Sequence, residues 1–91
     1  MLNINEFIND KYRILLLLND YKGPDGYSRL SQSELAEKLN LSRVTINKYV
    51  KELINDKYIS IEKDHLSKFK ILKKTEKIVD ILITLKNCMI E

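Results

Sequence analysis

Apolar residues along this chain recur at helical spacing, then at strand spacing, then at helical spacing again. Over residues 4–21, Ile4, Ile8, Leu15 and Leu18 fall on one side of a helix, with Phe7, Ile14 and Leu17 beside them. That is the period of an amphipathic helix with a broad apolar face. Asn3 or Asn5 can cap it. The run Lys22-Gly23-Pro24-Asp25-Gly26 ends it, because two glycines and the only proline make a turn. Tyr27-Ser28-Arg29-Leu30 has the length of a small strand.

A second helix is predicted through Leu39, capped by Ser31 or Ser33, with Leu35, Ala36 and Leu39 as its apolar face. Ser31 and Glu34 have the spacing of a capping box. Asn40 follows, and asparagine is the non-glycine residue that best accepts a left-handed turn. Ser42 caps a third helix to about Asp56, which buries Ile46, Val50, Leu53 and Ile54 at i, i+4, i+7 and i+8. After Lys57 the period changes to two. Tyr58-Ile59-Ser60-Ile61-Glu62 alternates, Lys63 to Ser67 is a polar turn, and Lys68 to Lys73 alternates again with Phe69 and Ile71 inward. These two segments make a hairpin. Thr75 caps a last helix, Glu76 to about Ile90, which is apolar on two stripes: Ile78, Ile81, Leu82, Leu85 and Met89 on one, Val79, Ile83 and Ile90 on the other. The pattern predicts a mainly α fold with a small β-hairpin, in which helices share one core that the hairpin closes.

Composition narrows the function classes. Ninety-one residues make one small domain, and 44% hydrophobic with 32% charged residues is ordinary for a soluble globular protein. A domain this small buries only about 60% of its unfolded surface, so sharing a core with a second copy is a common remedy. The longest apolar run, Ile14 to Leu18, is far short of the ~20 residues of a membrane span, and the N-terminus lacks a signal-peptide layout. No membrane association and a cytoplasmic location are expected. One cysteine excludes an internal disulfide framework and a multi-cysteine zinc site. Cys88 and the single histidine, His65, do not make a ligand set, so no metal or cofactor is expected. Cys88 reads as a small buried apolar residue, and His65 as a turn residue. No Gly-rich phosphate loop, no nucleophile with a base and no carboxylate cluster in an apolar setting is present, so an enzyme is not expected. The net charge of +3 gathers in residues 58–74, where Lys63, Lys68, Lys70, Lys73 and Lys74 face only Glu62 and Asp64. That excess suits an anionic partner such as nucleic acid; it is also the pattern of a solvated lysine-rich hairpin.

Residues 32–53, QSELAEKLNLSRVTINKYVKEL, resemble the helix-turn-helix of bacterial winged-helix DNA-binding proteins. The resemblance rests on Gln32, Leu35-Ala36, Leu39, Leu41-Ser42, Thr45-Ile46 and Leu53, with the hairpin in the place of the wing. Asn40 stands where that motif most often has glycine, a departure the turn geometry tolerates. The resemblance implies one winged-helix domain over 1–91, with the helix-turn-helix at 32–56, the wing at 58–73 and a C-terminal dimerisation helix at 76–90. It implies a duplex-DNA partner read by the third helix, which fits the major groove. Arg43 suits guanine and Asn47 adenine, Thr45 a phosphate or a thymine methyl, and Lys48 and Lys51 the backbone. Ser42 is a helix cap whatever the function. Ser31 and Gln32 can hold a phosphate, and Lys63, His65, Lys68 and Lys70 are the wing's candidates. Val44 and Tyr49 are apolar groups near the reading face, suited to a methyl contact, a packing partner or a different use of this helix.

The first and last helices carry more apolar surface than so small a core absorbs. Phe7, Ile14, Ile78, Ile81, Leu82, Leu85 and Met89 are therefore expected to form a homodimer interface. The layout is similar to arsenic-repressor-like and multiple-antibiotic-resistance-regulator-like proteins, without their sensor sites. The functions implied are a transcriptional repressor, or a centromere-binding partition adaptor of a plasmid or phage with a partition NTPase as partner. In some partition proteins of this kind the reading helices pair at the dimer interface, which would suit Val44 and Tyr49. A winged helix used for protein contact is the third reading.

Overall fold

The computed structural model describes residues 9–63 and 67–90. In chain order the elements are α1 (Asp10–Asp20), β1 (Tyr27–Ser28), α2 (Gln32–Leu39), α3 (Arg43–Asn55), β2 (Ile59–Lys63), β3 (Ser67–Ile71) and α4 (Lys73–Ile90). The mainly α fold with a β-hairpin expected from the pattern is observed, and its layout is the winged helix that the resemblance implies.

Two helix starts differ from the expectation. α1 begins at Asp10, because Asn9 has extended backbone (φ −53, ψ 145) and its side chain accepts from the Lys11 N–H at 2.9 Å. The expected start at residue 4, with caps at Asn3 or Asn5, lies outside the described residues. α4 begins at Lys73, before Thr75. Thr75 is fully buried in the first turn, and its hydroxyl donates to the Tyr58 carbonyl at 2.8 Å instead of capping the helix. The wing strand accordingly ends at Ile71, two residues before the expected Lys73.

The sheet has three antiparallel strands in the order β1-β3-β2. Ile59 pairs with Ile71 and Ile61 with Phe69, while Ser28 sits opposite Phe69 on the other edge of β3. This register puts Ile59, Phe69 and Ile71 on the inner face, where all three are buried. Tyr27, Glu62, Lys68 and Lys70 stand on the outer face, as the period of two requires. The inner face meets a core made by Ile14, Leu15 and Leu18 of α1, Leu35, Ala36 and Leu39 of α2, Ile46, Val50 and Leu53 of α3, and Val79 of α4. Ile54, expected in this core, is half-buried at its margin.

Three contacts tie the C-terminal end of α3 to the start of α4. The Tyr58 carbonyl accepts from the Leu72 N–H at 3.0 Å as well as from Thr75. The Lys74 ammonium donates to the Asp56 carbonyl at 3.3 Å.

Candidate nucleic-acid interface

The α2–α3 pair is set by local chemistry at both of its joints. Ser31 caps α2 reciprocally: its Oγ accepts from the Glu34 N–H at 3.1 Å, and the Glu34 carboxylate accepts from the Ser31 N–H at 3.2 Å. At the other end Asn40 takes left-handed backbone (φ 55, ψ 46), and the Leu41 N–H reaches back to the Ala36 carbonyl at 2.9 Å. With the Asn40 N–H on the Glu37 carbonyl at 3.3 Å, two orphan carbonyls are satisfied within the connection Asn40-Leu41-Ser42. Ala36 is buried where the chain folds back. Ser42 then caps α3, its Oγ accepting from the Thr45 N–H at 3.1 Å and donating to the Thr45 Oγ1 at 2.8 Å.

α3 buries Ile46, Val50 and Leu53 and turns the opposite face outward. Arg43, Val44, Asn47, Lys48 and Lys51 are all exposed, Val44 at 81%. Val44, Asn47, Lys48 and Lys51 run at i, i+3, i+4 and i+7, and with Glu52 they line a shallow groove of ≈ 480 Å³. The helix N-terminus, with its partial positive charge, lies at the same end as Arg43. Tyr49 is half-buried against the core, with the Lys48 ammonium 5.9 Å from its ring centroid, so it is a packing residue.

Other expected residues fall differently. The Ser31 hydroxyl is committed to its cap, and the Glu34 carboxylate already occupies that helix terminus; a phosphate would meet like charge there. Gln32 is half-buried beside it. On the wing's outer face the Lys68 and Lys70 ammonium groups converge on the Tyr27 ring, 4.7 and 5.4 Å from its centroid. Such cation–π contacts hold the lysines along the sheet. The Glu62 carboxylate beside the Tyr27 hydroxyl raises its pKa. Tyr27 was not foreseen as part of this face; its place follows from pairing with Lys70, forty-odd residues away in sequence, which no local pattern announces. At the turn before β1, Arg29 pairs with Asp25 at 2.6 Å and, with the Tyr27 N–H, lowers the Asp25 pKa to about 2. His65 and Phe7 lie outside the described residues, as do the side chains of Lys63 and Met89.

The terminal helices divide the expected dimer residues. Ile14 is fully buried and Leu82 is 7% exposed, so both belong to the chain's own core and offer no surface to a second copy. Ile81 (60%) and Leu85 (40%) are exposed on α4, and Ile78 is half-buried. Cys88 is exposed rather than buried, because α4 leaves the core after Ile83. Among the described residues no helix is long and apolar enough to cross a membrane.

A family model described as winged helix-turn-helix DNA-binding matches residues 11–60. Two crystal structures of the adhesin competence repressor (AdcR) from Streptococcus pyogenes, one of them C-terminally His-tagged, share the fold with a TM-score of 0.77. Each is 22% identical over 90% of this chain, and the chain spans 59% and 58% of theirs. No curated protein matches the sequence.

Proposed function

Because the chain belongs to the winged helix-turn-helix DNA-binding family, we propose that it is a sequence-reading transcriptional regulator that sets α3 in the major groove of duplex DNA. The observation that carries this reading is the outer face of α3, where Asn47, Lys48 and Lys51 stand with Val44 away from the core and Arg43 is exposed at the helix start. Arg43 and Asn47 have the donor and acceptor geometry for guanine and adenine edges. Lys48, Lys51 and the N-terminus of α3 serve phosphates, and Lys63, His65, Lys68 and Lys70 of the wing extend the backbone contact. Ser31 holds α2 as its cap, and Gln32 beside it shares the terminus that the Glu34 carboxylate occupies, so α2 braces the reading helix rather than taking a phosphate. No step of this work needs a catalytic group or a cofactor, and it takes place in the cytoplasm, with the DNA.

The regulator acts as a homodimer through α4 and as a repressor that occludes a promoter. Exposed Ile81 and Leu85 support the first part. The fold it shares with a protein named as a repressor supports the second.

The test is binding to the protein's own upstream region and to a random duplex, across a salt series. The Arg43→Ala/Asn47→Ala variant runs beside the wild type. Selective binding that the variant loses by on the order of 100-fold is expected, since each bidentate base contact is worth about 1–3 kcal/mol. A footprint over one operator supports the repressor; protection of a repeat array reassigns the protein to partition. Weak, equal retention of both DNAs would leave only a protein-contact module.

A further inference from the structure

We propose that Val44 reads the C5-methyl group of a thymine in the major groove and so fixes base choice at one position of the site. The inference rests on the assignment of α3 as the reading helix. Single exposed apolar residues are common on protein surfaces and mean little alone. Val44 differs in its place. It keeps 81% of its surface exposed in the first turn of α3, the part of a reading helix that meets base edges. A β-branched residue gains nothing there from helix propensity or capping.

The isopropyl group forms no hydrogen bond. The thymine methyl is the apolar feature that the major groove presents to it. Thr45, the other methyl-bearing side chain of this turn, is half-buried and accepts the Ser42 hydroxyl at 2.8 Å, which turns it toward the cap. The rival occupant of the face is a second copy of α3. Charge opposes it: Lys48 and Lys51 line the groove with Val44 against the single carboxylate of Glu52, with Arg43 at the same helix start, so a two-fold pairing would bring two net-cationic faces together. DNA phosphates on either side of the groove match the same cations.

Duplexes enriched by the wild-type protein from a random-sequence pool supply the site. Each thymine is then replaced by deoxyuridine, which lacks only the methyl, and binding is measured for wild type and Val44→Ala. Val44 is exposed and alanine is the better helix former, so the variant folds; a thermal melt checks this. One replacement is expected to weaken wild-type binding roughly fourfold, the worth of one buried methyl-sized group, and to leave Val44→Ala unaffected. Equal sensitivity of both proteins at every thymine, or none in either, overturns the role of Val44 and leaves DNA reading by α3 intact. So does a changed oligomeric state in Val44→Ala without a changed deoxyuridine response. Failure of the wild type to enrich any sequence overturns the reading-helix assignment itself.

Discussion

Among the described residues, two other than glycine hold left-handed backbone, Asn40 at φ 55 and Lys57 at φ 64. Both stand at the turn of the same reverse-bond pattern at a helix end, Asn40 directly after α2 and Lys57 two residues after α3. At Asn40 the reverse bonds are Leu41 N–H to Ala36 carbonyl at 2.9 Å and Asn40 N–H to Glu37 carbonyl at 3.3 Å. At Lys57 they are Tyr58 N–H to Leu53 carbonyl at 2.9 Å and Lys57 N–H to Ile54 carbonyl at 3.0 Å. The motif favours glycine, with asparagine next, because the short amide side chain compensates locally; lysine has no such device. Lys57→Gly is therefore expected to raise stability by about 0.5–1 kcal/mol, after the entropy that glycine forfeits. Asn40→Gly is expected to change it far less. Denaturant melts of the two variants make the comparison, and a loss of stability in Lys57→Gly would contradict it. DNA binding is not expected to move, since Lys57 lies at the opposite end of α3 from Arg43.

At the scale of elements, the start of α2 separates a structural duty from a binding one. Ser31 and Glu34 satisfy each other's backbone N–H groups, so Ser31→Ala is expected to cost about 1 kcal/mol of stability, the usual worth of an N-cap. Below its melting transition the variant is expected to bind duplex DNA within twofold of wild type. A loss beyond that would return Ser31 to the interface. The same element shows what a sequence makes legible. The caps Ser31 and Ser42 and the turn at Asn40 are local, each made by residues within five positions of one another, so the helix-turn-helix is legible in the sequence alone. The start of α4 was not, because Thr75 answers to Tyr58, 17 residues away. Nor was the start of α1: apolar spacing through residues 4–18 points to caps at Asn3 or Asn5, and the cap is Asn9. The stripe on α3 was legible as a helical face. Which lysines the Tyr27 ring would gather was not, since strand order is a long-range fact.

For the whole molecule, the open question of the apolar pattern is which surface serves the chain's own core and which serves a second copy. Periodicity marks Ile78, Ile81, Leu82 and Leu85 as one stripe. The packing splits it, burying Leu82 and leaving Ile81 and Leu85 out. The exposed pair lies on a helix whose base is bonded to the end of α3 through Tyr58, Thr75, Lys74 and Asp56. A contact between two α4 helices would therefore fix the two reading helices relative to each other, and half-site spacing is set in that way. Ile81→Lys/Leu85→Lys is expected to give a monomer in sedimentation while keeping the wild-type helical spectrum, because neither side chain supports the core. Binding to a two-half-site duplex should fall by on the order of 10²–10⁴, the avidity lost when linked sites are separated; binding to one half-site should stay as it was. Leu82→Lys is the control with the opposite signature: a charge placed in the core costs folding, whatever the oligomeric state. A wild-type protein that sediments as a monomer at micromolar concentration, or a double variant that remains a dimer, would remove α4 from the interface.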